Sequence, residues 1–172
     1  MDKNELASVA GHGKYRRVEV KRVVNAPIDK VWNAITNADE VEKWWAAGEI
    51  DPKEGGQVKL GLGGEEADCG GLGLDGTIKV FQPPHIFEFT WHEAYDPAMG
   101  LVRFDLVELE NNQTLVTLVN SVPSTDAVPA AAGWHEIVES LGTYVGGGKA
   151  APLPKNENRF SELKAIYEAA LG

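Results

Sequence analysis

Few side chains in this chain could do acid–base or metal chemistry. Histidine occurs at His12, His85, His92 and His135, and cysteine only at Cys69. There is no HExxH motif and no Cys/His cluster with ligand spacing, so neither a metal nor a cofactor is expected. His135 and Glu136 are adjacent in a helical stretch and diverge by about 100°, which prevents them from acting as an oriented pair. His135 reads either as a boundary histidine bonded to a neighbour or as a general base, with His92 as the other acid–base candidate. Gly71-Leu72-Gly73-Leu74-Asp75-Gly76 matches GxGxxG, but a β-branched strand follows it at Thr77–Phe81. A dinucleotide fingerprint needs a helix opening there to meet the pyrophosphate, so the stretch is read as a glycine-rich hairpin or lid. Large indoles at Trp44, Trp45, Trp91 and Trp134 are the remaining conspicuous groups, each either core or wall of an apolar pocket.

The elements that would position these residues follow from periodicity. Tyr15–Val24 alternates as a half-buried strand, with Val18, Val20 and Val24 on one face. Arg22 shares their parity and reads as a strand-end arginine reaching for water or as a charge entering a cavity. Asn25-Ala26-Pro27 opens a short helix carrying Ile28, Val31, Trp32 and Ile35. A second begins at Ala38 or Asp39 and carries Val41, Trp44 and Trp45, of which one tryptophan is expected in the core and the other at a rim. Gly55–Gly76 holds nine glycines and short strands. Thr77–Phe81 and His85–Glu93 flank a stiff Gln82-Pro83-Pro84 connection. Leu101–Glu110 and Thr114–Val122 flank a polar turn, and a switch of apolar parity suggests a β-bulge at Leu106–Glu108.

Asp126–Val145 is a long amphipathic helix of roughly 30 Å. Ala127, Ala131, Trp134, Val138, Leu141 and Val145 form its apolar stripe, opposite Glu136, Glu139, Ser140 and Thr143. Thr125 or Asp126 is placed to cap it, and Gly146-Gly147-Gly148 to stop it. Gly142 on its inward half either lets the sheet approach or leaves room for a ligand. Lys149–Asn158 reads as a linker, and Arg159–Leu171 as a final helix that packs on its own domain or makes a dimer contact. The expected organisation is a flexible N-terminus over 1–13, one domain over 14–148, and a linker with an additional helix over 149–172.

The expected fold class is α+β. A curved antiparallel sheet of about six to seven strands wraps around the long helix, two short helices follow the first strand, and an extra helix ends the chain. At 172 residues one core suffices. The net charge of −10 disfavours nucleic acid and anionic membrane surfaces. A single cysteine fits a reducing compartment, the cytoplasm, and no apolar run is long enough for an integral membrane helix.

Val20-Lys21-Arg22-Val23-Val24-Asn25-Ala26-Pro27, Val31-Trp32-Asn33-Ala34-Ile35-Thr36 and Val41-Glu42-Lys43-Trp44-Trp45 resemble the START-like helix-grip superfamily. With Phe87-Glu88-Phe89-Thr90-Trp91 and Gly133-Trp134-His135-Glu136, they resemble more narrowly the family named for the C-terminal domain of the activator of Hsp90 ATPase. The resemblance covers about Lys14–Val145 and implies a central cavity that binds apolar or amphipathic small molecules. Trp44, Trp45, Phe89, Trp91, Phe104, Trp134, Val138 and Leu141 are the walls expected of it, with Arg22, Asn120 and His135 as polar anchors. It also implies two alternatives beyond a hydrophobic small-molecule ligand, polyketide cyclase-like catalysis and contact with an Hsp90-type ATPase, while a homodimer would follow from the dimer-contact reading of the final helix. The N-terminal domain that helps the Hsp90 activator engage its client has no counterpart in this sequence.

Overall fold

The computed structural model describes residues 6–61, 73–91, 100–153 and 157–171. Eight strands form one antiparallel sheet: β1 (Ser8–Ala10), β2 (Tyr15–Val24), β3 (Ala47–Ile50), β4 (Gln57–Gly61), β5 (Leu74–Gln82), β6 (Ile86–Thr90), β7 (Leu101–Leu109) and β8 (Gln113–Pro123). Their order is β1-β2-β8-β7-β6-β5-β4-β3, so the long β2–β8 pair joins the N-terminal strands to the meander. Helices α1 (Ile28–Thr36) and α2 (Ala38–Val41) follow β2, and α3 (Ala127–Val145) follows β8 after one 3-10 turn at Ser124–Asp126. Helix α4 (Glu157–Leu171) ends the chain. This is the expected α+β helix-grip architecture with one more strand than the upper estimate. Neither β1 nor β3 carries apolar alternation: Ser8–Ala10 lies in the stretch expected to be flexible, and Ala47–Ile50 is largely exposed.

Alternation on the central strands sets the core. Val18, Val20 and Val24 of β2, Phe87 and Phe89 of β6, Val102, Phe104 and Leu106 of β7, and Val116 and Leu118 of β8 are all buried. Ala131, Ala132, Trp134, Val138, Leu141 and Val145 of α3 close over them. The expected bulge at Leu106–Glu108 is absent. β7 and β8 stay in unbroken register from Val102↔Asn120 to Leu109↔Gln113, and the change of parity simply leaves Val107 exposed on the outer face. The register shift falls instead between Ile78 and Val80, on β5 against β6. At the β7–β8 turn Asn111 and Asn112 both take positive φ, 60° and 55°, conformations that asparagine tolerates better than most residues.

Helix α3 departs from expectation on two points. Asp126 sits at its N-cap position without a side-chain cap, and its carboxylate accepts instead from Thr125 Oγ1. Half of its polar stripe is also covered rather than solvated: Glu136 and Ser140 are buried while Thr143 stays exposed, and Ser140 Oγ donates to Trp44 O at 2.7 Å. The C-terminal stop works as expected. Gly147 takes φ 85° and donates to Tyr144 O, while Gly148 donates to Thr143 O, closing a Schellman turn. Helix α4 packs on α3 through buried Leu163 and Tyr167, with Phe160 over Gly133, so this face belongs to the parent domain.

Candidate functional site

Four indoles run in a row across the junction of α2, α3 and β6. Trp44 and Trp45 leave the end of α2 with ring centroids 5.7 Å apart. Trp45 meets Trp134 of α3 edge to face at 5.9 Å, and Trp134 meets Trp91, just past β6, edge to face at 5.5 Å. Tilted and edge-to-face contacts of this kind suit the ring quadrupoles. Trp32, the fifth tryptophan, lies apart, against Phe81 and Phe87.

Neighbouring tryptophans on one turn cannot point the same way, which led us to expect one of the Trp44–Trp45 pair at a rim. Both are buried, at 0% and 3% exposure. Trp44 enters the core, where Nε1 donates to Ala34 O at 3.0 Å. Trp45 is covered from the other side by the segment following α3: Leu153 N donates to Trp45 O at 2.8 Å, and Leu153 and Ala150 pack on the core. Part of the stretch expected to be a plain linker is thus a strap over this corner.

Asn120 fixes the middle of the row. Its Oδ1 accepts from Trp134 Nε1 at 3.0 Å and its Nδ2 donates to Leu101 O at 2.9 Å, so both ends of the amide are engaged within the protein. Trp91 N donates to Gly100 O, whose own amide donates to Ser121 O; the end of β6 is thereby tied to β8 beside Asn120. The structure therefore brings Trp45, Trp91, Asn120 and Trp134 together. Phe89, Phe104, Val138 and Leu141 lie fully buried between sheet and helix.

His135 and Arg22 belong to a different neighbourhood. One residue on from Trp134, His135 turns towards α4, where Nδ1 meets Tyr167 Oη at 2.8 Å. Tyr167 Oη also accepts from Ala7 N at 2.6 Å, so one hydroxyl joins both ends of the chain to α3. Burial pushes the Tyr167 hydroxyl above its ordinary pKa, outweighing the Ala7 hydrogen bond and the charge of Arg22. Burial likewise pushes Glu139 up. The two-pronged hydrogen bond from Arg159, at 2.6 and 2.9 Å, and the charges of Arg159, His135 and Arg22 prevail and hold its carboxyl below the usual range. Arg22 thus runs beneath α3 towards α4, its Cδ 3.5 Å from where a Cβ on Gly142 would stand.

His92 and residues 62–72 of the glycine-rich stretch fall outside the described residues. Among the described residues no group of His, Cys, Asp and Glu could hold a metal ion, and no helix is long and apolar enough to cross a membrane. The helical period places Tyr167 on the packing face of the final helix but gives its hydroxyl no role, and Leu153 was overlooked, because these partners come from α4 and the strap folding back.

Several solved structures share this fold. CalU16 from Micromonospora echinospora aligns over 95% of this chain and 92% of its own, at 24% identity and a TM-score of 0.68. EF2215 from Enterococcus faecalis, a conserved protein of unknown function, aligns over 96% and 90% at 20% identity and a TM-score of 0.72. The Aha1 dimer from Colwellia psychrerythraea aligns over 78% and 98% at 23% identity and a TM-score of 0.64. At these identities the likeness is one of fold. No curated protein is significantly similar in sequence. The family described as activator of Hsp90 ATPase homolog 1-like protein matches residues 25–146, well over half of the sequence, and the chain belongs to that family.

Proposed function

We propose that the chain binds a hydrophobic or amphipathic small molecule, of lipid, aromatic or polyketide-like character, between the sheet and α3, with the tryptophan corner as the recognising end. The observation that supports this reading is the meeting of Trp45, Trp91 and Trp134 where α2, α3 and β6 come together. A pocket for a flat or acyl ligand needs large apolar walls and few polar groups. A packed core can also hold tryptophans; three from separate elements at one end of the grip gather large apolar and aromatic surface in one place.

Binding without chemistry is favoured over a polyketide cyclase-like reaction. His135, the acid–base candidate on α3, has Nδ1 engaged by Tyr167 on the α4 side. A related fold is found in DynU16, a protein in the dynemicin biosynthetic locus, which aligns over 77% of this chain and 48% of its own at 24% identity and a TM-score of 0.65. That setting agrees with a ligand of polyketide type and does not require turnover.

Native mass spectrometry of freshly purified protein, followed by tryptophan fluorescence titration with a broad panel of lipids and aromatic compounds, tests the reading. A retained small-molecule mass or a saturable fluorescence change is expected. No adduct and no saturable change across the panel would overturn it. The same spectra report whether this chain forms a homodimer, as the Colwellia Aha1 does.

A further inference from the structure

Three polar anchors were expected for a ligand, and the structure engages two of them elsewhere. Asn120 spends both amide groups on Trp134 and Leu101, and His135 bonds to Tyr167. Arg22 lies on the same α3–α4 side, close enough to lower the pKa of Glu139. Among the described residues one buried side-chain polar atom is left over, and it belongs to the tryptophan row itself. Trp45 Nε1 has no hydrogen-bond partner among them, although the residue is only 3% exposed. Trp44 and Trp134, its ring neighbours on either side, both satisfy theirs.

A buried donor without an acceptor is costly, and tryptophan N–H groups normally find a partner when they leave water. An indole is also a poor choice of residue where only apolar volume is wanted, since phenylalanine fills space without that penalty. Retaining the donor makes physical sense if an acceptor arrives from outside the chain. The surroundings narrow what that acceptor can be attached to. Trp45 is flanked by the faces and edges of Trp44 and Trp134, beyond which stands Trp91, and these surfaces favour another aromatic ring over a flexible chain. A carboxylate is disfavoured, because the structure places no cation against Trp45 among the described ion pairs and aromatic contacts.

The geometry points to a ligand made of fused or linked aromatic rings that carries a neutral hydrogen-bond-accepting oxygen, such as a ring ketone, which accepts from Trp45 Nε1. This rests on the ligand-binding reading above and narrows it: the rings meet Trp134 and Trp91 while the oxygen takes the Trp45 N–H.

Matched probes that differ only in the oxygen separate the two levels of the claim. Fluorene and fluorenone form one pair, diphenylmethane and benzophenone a second. Each is titrated into the full chain and into Trp45→Phe, with the indole ¹H–¹⁵N resonances followed in the unsubstituted protein. The ratio of ketone to hydrocarbon affinity is expected to fall by about tenfold in Trp45→Phe, the worth of one good hydrogen bond. In the unsubstituted protein the Trp45 indole proton is expected to move downfield with the ketones and not with the hydrocarbons. Saturable binding of all four probes, with an unchanged ratio and no ketone-specific shift, would overturn the acceptor inference while leaving the ligand-binding reading intact. A Trp45 indole proton that stays upfield throughout, as it would over another ring's face, would also overturn it. If none of the probes, nor any compound of the broad panel, binds, the binding reading falls and takes the inference with it. Should Trp45→Phe fail to fold, the indole shift in the unsubstituted protein still decides.

Discussion

The indole N–H of Trp134 donates to the side-chain oxygen of Asn120 at 3.0 Å, so the central ring of the tryptophan row is held by the strand that faces its helix. Asn120→Leu would deprive two groups of their partner at once, the buried Trp134 donor and the part-buried Leu101 carbonyl. A loss of about 2 kcal/mol is expected from urea unfolding, with little change in the denaturant slope. A loss below about 0.5 kcal/mol would show that the amide does not hold the row together.

Tyr167 ties α4 to α3 and to the N-terminal segment through one hydroxyl. Tyr167→Phe keeps the ring but leaves Ala7 N and His135 Nδ1 without that partner. The expected cost is about 1–3 kcal/mol, with faster amide exchange at Ala7 and an unchanged far-ultraviolet dichroism spectrum. Unaltered exchange at Ala7 would contradict the clasp.

The Glu139–Arg159 pair makes part of the stability depend on pH. The folded carboxyl lies below its ordinary value, so Glu139 binds its proton more readily once the chain unfolds. Its contribution is therefore present above the unfolded pKa and is lost as pH falls through the folded one. Arg159→Gln should cost about 1 kcal/mol near neutrality, and the deficit should shrink on acidification from about pH 5 towards 3. Denaturant curves at several pH values provide the check, and a deficit that grows in acid would contradict the sign.

Gly142 was expected either to admit the sheet or to leave room for a ligand. A Cβ there would meet Arg22 Cδ and Val24 Cγ1 at 3.5 Å, an ordinary van der Waals contact. Gly142→Ala should accordingly stabilise α3 by about 0.5–1 kcal/mol through helix propensity, measured by thermal or urea unfolding. Clear destabilisation would mean that the β2–α3 spacing has no slack for a methyl group.

Strand parity and helical period made most of this architecture legible in the sequence. Val18, Val20 and Val24 named the inner face of β2, and the α3 stripe from Ala127 to Val145 named the surface that closes the grip. What escaped was set by elements that fold back from far along the chain. Glu136 and Ser140 look solvent-facing by period, yet Ser140 bonds to the Trp44 carbonyl 96 residues earlier and α4 packs against the same helix. The Trp44–Trp45 pair was read as one inside and one at a rim because nothing local announces that Leu153 returns to cover Trp45. β3 escaped because the side chains of Ala47–Ile50, which pairs with Gly61–Val58, carry no alternating pattern. Parity at Val107 and Leu109 misled for the opposite reason. Apolar side chains are tolerated on an exposed sheet face, so a switch of parity need not imply a bulge.

The central claim is that ligand meets the chain at the Trp45–Trp134–Trp91 row. Indole ¹H–¹⁵N resonances of the five tryptophans, followed while fluorenone is titrated into the protein, test it most directly. The account predicts saturable movement of Trp45, Trp91 and Trp134, the largest at Trp45, with Trp32 unmoved in its separate contact with Phe81 and Phe87. Movement confined to Trp32, or no saturable change at any of the five, would contradict it.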